Sequence, residues 1–172
     1  MDMLASGLVM WVFPGLMLLA AASDFVGRRI PNLIPALVLG GFVVLALVTA
    51  MPVKDFAFAL LAGFAALVVG FGLFAINQMG GGDAKLIAAA LPWFGATIPG
   101  IEFVVYTTLW GAGLSLLFLL RRLAPIQLML ASNRFSVRLL GSTGKREVPY
   151  GIAIAIAAIQ MHASLKALHL GL

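Results

Sequence analysis

Cysteine is absent from the 172 residues. That excludes disulfides, a thiol nucleophile and any zinc site built on cysteine pairs. The two histidines, His162 and His169, are too few for a histidine-rich metal centre. Charge is scarce as well, with 10% of residues Asp, Glu, Lys or Arg against 63% hydrophobic. A soluble domain of that balance lacks the polar surface to cover its core, and the mean hydropathy of +1.12 identifies an integral membrane protein instead. The net charge of +5 is carried by basic residues clustered in particular loops, which reads as an orientation signal and not as a nucleic-acid surface.

What is present is a series of apolar runs. The chain has room for about six spans of ~20 residues, since a ~30 Å bilayer core at 1.5 Å rise per residue sets the span length. An all-α polytopic bundle forming one domain over residues 1–172 is the expected architecture. Met3 to Ala22 is the first run; it is too long for a signal-peptide core and has no early Lys or Arg, so it is read as a retained span. Ser23 to Asn32 reads as a polar loop with Asp24, Arg28 and Arg29, and Asn32 is placed to cap a second helix from Leu33 to about Met51.

A third span runs from Phe56 to Ile76. In it Ala59, Gly63, Ala66 and Gly70 recur at spacings of four, three and four, a small-residue face for close packing of a neighbour. Asn77 to Lys85 reads as a glycine loop. Leu86 to Ile98 is short for a span, about 20 Å at helical rise, unless it draws on that loop. Pro99 and Gly100 are expected to break the chain before a span from Ile101 to Leu120. A polar loop at about 121–148 follows, with an amphipathic stretch at about 126–140 that suits the membrane surface. A last span runs from about Pro149 to Leu170, with Pro149 suited to a first helical turn.

If all six segments cross, the loops after the first, third and fifth hold nine of the eleven Lys and Arg residues. Those loops are then cytoplasmic and both termini lie outside. Whether or not the fourth segment crosses, two spans separate Asp24 from Asp83, so the two acids share one membrane face. Acids at the edge of apolar segments are costly and point to function. Two close aspartates cannot both ionise, so one is a base towards water while its protonated partner hydrogen-bonds a carbonyl oxygen, which is the equipment for peptide hydrolysis. Beside Asp83, Gly80, Gly81 and Gly82 are free to adopt positive φ and admit a substrate strand. No lysine followed by Ser or Thr stands at P-loop spacing, so nucleotide binding is discounted.

Gly80-Gly81-Gly82-Asp83-Ala84-Lys85 resembles the GxGD-x-K signature of prepilin peptidases. Asp24 with Arg29-Ile30-Pro31-Asn32 resembles their first-aspartate region, and Pro149-Tyr150-Gly151 resembles the element that opens their last span. The resemblance implies an aspartyl endopeptidase of the bacterial inner membrane, with Asp24 and Asp83 as the catalytic pair and no cofactor or metal. Its substrate would be a type IV pilin-like precursor, cut behind a short basic leader at the cytoplasmic face among membrane lipids. Gly80, Gly81, Gly82, Lys85, Pro149, Tyr150 and Gly151 would shape the site or bind substrate. Lacking the large first loop with paired cysteines, the chain is similar to the small members of tight-adherence (Flp) pilus systems, for which a peptidase without methyltransferase activity is expected. From the residues alone two other classes stay open: a small proton-coupled transporter, and a non-catalytic subunit of a pilus or secretion assembly. Lys85 is read mainly as a snorkelling cation, Arg28 and Arg29 as orientation signals, and the histidines as structural.

Overall fold

The computed structural model describes residues 6–120, 149–162 and 165. The expected loop at 121–148, its amphipathic stretch and His169 lie outside these. The described residues form six helices and no strand: α1 (Leu8–Gly27), α2 (Leu33–Val48), α3 (Val53–Ala75), α4 (Gly81–Phe94), α5 (Ile98–Leu120) and α6 (Tyr150–Gln160). By length and composition α1, α3 and α5 are long and apolar enough to cross a membrane, while α2 and α6 are shorter apolar helices. The chain thus has the all-helical architecture its composition called for.

The first helix opens with a π-helical turn, Leu8–Val12, closed by the Phe13 N–H donating to the Leu8 carbonyl. Pro14 follows directly; its ring needs space at the carbonyl four residues back, and the wider turn provides it. Val9, Phe13, Met17, Ala20 and Asp24 are the buried residues of α1, a stripe at helical spacing that faces the bundle. The polar loop expected from Ser23 onwards therefore starts later. The helix continues to Gly27 because this stripe continues, and Asp24 belongs to its last turn. Arg28, at φ 52°, ends it with its N–H on the Asp24 carbonyl at 2.9 Å, while the Ser23 hydroxyl donates to the Arg29 carbonyl at 2.9 Å.

Asn32 immediately precedes α2, but its side chain does not cap the helix. Its backbone is already helical (φ −58°, ψ −21°), whereas a capping side chain reaches the first turn from an extended backbone. The far end of α2 closes with Ala50 in the left-handed region (φ 47°), the Met51 N–H reaching Ala46 and the Ala50 N–H reaching Leu47.

The most extensive helix contact joins α3 to α4. The small face of α3 makes it possible: a Cβ at Gly63 would stand 2.7 Å from the Ala88 carbonyl, and one at Gly70 2.8 Å from the Ala84 Cβ. Close backbone approach of this kind gains dispersion contacts where lipid supplies no hydrophobic drive. The short fourth segment draws on the glycine loop as its length required, starting at Gly81. It stops at Gly95, whose φ of +68° suits glycine, so the break precedes Ile98, and Pro99 and Gly100 fall within the first turn of α5. Although short, α4 is the central helix, with Ala84, Leu86 and every residue from Ala89 to Phe94 buried. Its C-terminal end holds an aromatic cluster. Trp93 lies 4.6 Å from Phe13 and 6.4 Å from Phe42 between ring centroids, Phe94 stacks on Phe103 at 4.7 Å, and the Trp93 indole N–H donates to the Val38 carbonyl at 3.0 Å.

Candidate active site

The opposite end of α4 gathers the residues singled out in the sequence. Asp24 is only 7% exposed, and its Oδ2 accepts a hydrogen bond of 2.7 Å from the Gly151 backbone N–H. That amide belongs to the first turn of α6, where helix N–H groups have no intrahelical partner and the dipole favours negative charge. A side chain at residue 151 would put its Cβ 2.9 Å from both Cβ and Oδ2 of Asp24. Glycine is therefore the residue that lets the α6 backbone reach the carboxylate.

Asp83 stands in the first turn of α4, again at a helix N-terminus. Its carboxylate turns back over Gly80, where a Cβ would be 2.7 Å from Oδ2. None of the three adjacent glycines has positive φ: Gly80 is extended (φ −71°, ψ 139°), and Gly81 and Gly82 are already helical. The open, strand-admitting backbone expected there is replaced by close approach of the protein's own side chains. Gly81 faces the Phe74 ring, and a Cβ at Gly82 would lie 3.2 Å from the Ile30 Cβ.

Ile30, buried at 9% exposure, joins the two halves. It lies against Gly82 at the start of α4, and its Cδ1 stands 3.1 Å from where a Cβ of Gly151 would be. The region of each aspartate thus meets the other across one isoleucine side chain. Ile30 carried no role of its own in the sequence, where Phe25 and Val26 share the expected loop with it; once α1 is seen to run to Gly27, Ile30 is the one large apolar side chain between Arg28 and Asn32.

Pro149 is buried and precedes α6 as its N-cap residue, one position before the first turn expected to contain it. Tyr150 is half-buried, its ring lying over Gly111 of α5 so closely that any side chain at 111 would collide with it. Gly111 was not marked by any motif; only the facing tyrosine gives it meaning. Arg28 sets its guanidinium 5.7 Å from the centroid of the Phe118 ring near the end of α5, a cation–π contact at the same end of the bundle. Lys85 points elsewhere, donating from Nζ to the Asn32 Oδ1 at 2.9 Å. His162 lies beyond the far end of α6.

This end of the bundle therefore has two helix N-termini, each beside an aspartate, together with the tyrosine and the isoleucine. No curated protein and no solved structure matches the chain. The family model of the type IV leader peptidase family matches residues 11–120, a segment that contains both Asp24 and Asp83. With that match over more than half of its length, the chain belongs to the type IV leader peptidase family.

Proposed function

We propose that the protein is an aspartyl leader peptidase in which Asp24 and Asp83 act as a pair on one water molecule. The observation that carries this reading is the junction at Ile30, which lies against Gly82 beside Asp83 and against Gly151, whose amide holds Asp24. In the proposed reaction the ionised member of the pair takes a proton from water, and the water attacks the scissile carbonyl. The protonated member hydrogen-bonds the carbonyl oxygen as negative charge develops there. The pair shares one proton and titrates as a unit. The Gly151 amide orients Asp24, and the first turn of α4 orients Asp83.

The substrate of this reading is a type IV pilin-like precursor, of the tight-adherence kind given the short, cysteine-free connection between α1 and α2, cut behind its basic leader. The acid end is assigned to the cytoplasmic face and both termini to the outside, on the strength of the basic loops. A transporter would hold its acids near the bilayer midplane, in the middle of its helices. Here they stand at the last turn of α1 and the first of α4.

The test is co-expression with a candidate precursor, reading leader removal by mass. Asp24→Asn and Asp83→Asn should each reduce cleavage by about 10³-fold or more while the protein still inserts, in line with the 10²–10⁴-fold typical of acid–base groups. Chelator and thiol blocker should leave the wild type active. Normal processing by either Asn variant would overturn the pair.

A further inference from the structure

A groove of about 390 Å³ runs along the outside of α4, between α2 and α3. Asn32 and Lys85 form its mouth, and Leu39, Phe64, Leu67 and Pro92 are among the apolar groups of its walls. We propose that this groove is a binding site for one anionic phospholipid, with an acyl chain along the walls and the headgroup phosphate on Asn32 and Lys85.

The mouth selects the ligand by its hydrogen-bonding capacity. Lys85 Nζ donates to Asn32 Oδ1, which uses one of the two acceptor lone pairs of the asparagine side chain. What remains on the pair is two ammonium protons, the two amide protons of Asn32 and one lone pair of its Oδ1: four donors against one acceptor, with a net positive charge. Among the described residues no carboxylate pairs with Lys85. A group rich in acceptors and negatively charged fits that mouth, and a phosphate has both properties. Below it the lining is apolar over the two turns of α4 from Lys85 to Pro92, about 10 Å at helical rise. The volume lies within the range of sites that bury a small ligand.

The position on α4 separates this occupant from a peptide substrate. At about 100° per residue Lys85 is turned about 200° from Asp83, and Ala88 and Pro92, which also line the groove, share the side of Lys85. Asp83 is on the other side of the helix. A chain lying in the groove is screened from the acid by α4 itself, so the groove is suited to a lipid and not to the bond being cut. It is also independent of the peptidase reading: it needs only a membrane and the two side chains at its mouth.

The full-length protein, purified in a mild detergent, is incubated with phosphatidylglycerol or phosphatidylcholine of identical acyl chains, and bound lipid is counted by native mass spectrometry. One phosphatidylglycerol per chain is expected, held about fivefold more tightly than phosphatidylcholine, the ratio that one interfacial lysine contributes. Lys85→Gln should abolish the preference and Lys85→Arg should keep it. Asn32→Asp, which neutralises the mouth with little change of shape, should abolish it too. Ala36→Trp, one turn into the groove, should weaken both lipids. Equal retention of the two lipids by the wild type overturns the proposal, as does an unchanged preference in Lys85→Gln and Asn32→Asp. Displacement of phosphatidylglycerol, one for one, by a peptide carrying the apolar segment of a precursor assigns the groove to substrate and overturns it as well.

Discussion

The two ends of α4 are built by opposite means. At its start, Gly80, Gly81 and Gly82 leave out side chains, so that Asp83, Phe74 and Ile30 come close to the backbone. At its end, Trp93 and Phe94 are fully buried and fill the space between α1, α2 and α5 with aromatic rings. One end gains precision by removing atoms and the other gains stability by adding them. A helix too short to cross a full bilayer can hold its place because its far end is anchored by this volume, leaving the near end to position polar groups.

Substitutions at the two ends should then separate stability from cleavage. The largest effect expected is on Trp93→Ala, which removes a buried indole and its hydrogen bond to Val38; a loss of about 3–5 kcal/mol is usual for such a truncation. Unfolding in detergent measures it, and the folded fraction should retain cleavage within about tenfold of wild type. A loss of cleavage without a loss of stability would break the division of labour.

Gly151→Ala should act on cleavage more than on stability. Its Cβ, 2.9 Å from the Asp24 carboxylate, displaces the group whose placement the proposed reaction needs, and a shift of about 1 Å costs on the order of 10² in rate. Overpacking should cost about 1–3 kcal/mol in stability. Gly82→Val acts one contact further away, through Ile30, and should give a smaller loss of cleavage, about tenfold; full activity in that variant would remove Ile30 from the site. The smallest effect is at Ala50, on the aromatic side of the bundle. Its left-handed backbone disfavours any Cβ, so Ala50→Gly should stabilise the protein by about 1 kcal/mol and leave cleavage unchanged.

Much of the candidate site was legible in the order of the residues. Asp24, Asp83 and Gly151 each stand in a recognisable local pattern, and the two spans expected between the acids predicted the same end of the bundle, where the Ile30 contacts bring their surroundings together. The surroundings of Asp24 were less legible, because a polar residue after an apolar run resembles a loop. Only burial corrects that reading: Val9, Phe13, Met17 and Ala20 form a buried stripe whose next position is residue 24, and in a run apolar on every side the sequence does not mark it. Asn32 shows the converse case. Its type and place suggest a cap, but capping depends on backbone angles and on rival partners, and Lys85, 53 residues away, is the partner it takes.

From composition and the order of apolar segments alone came the membrane class, the six segments and the expectation that the two acids share one end, since each follows from the cost of placing polar groups in hydrocarbon and from the number of segments between them. The tertiary structure decided the rest. It buried Asp24 in a helix, joined it to an amide 127 residues away, wedged Ile30 between two glycines and packed the short central helix α4 against the small-residue face of the 23-residue α3. The reason is physical: a glycine in the chain shows only that a backbone has no side chain there, and what approaches the gap is set by which helix faces it.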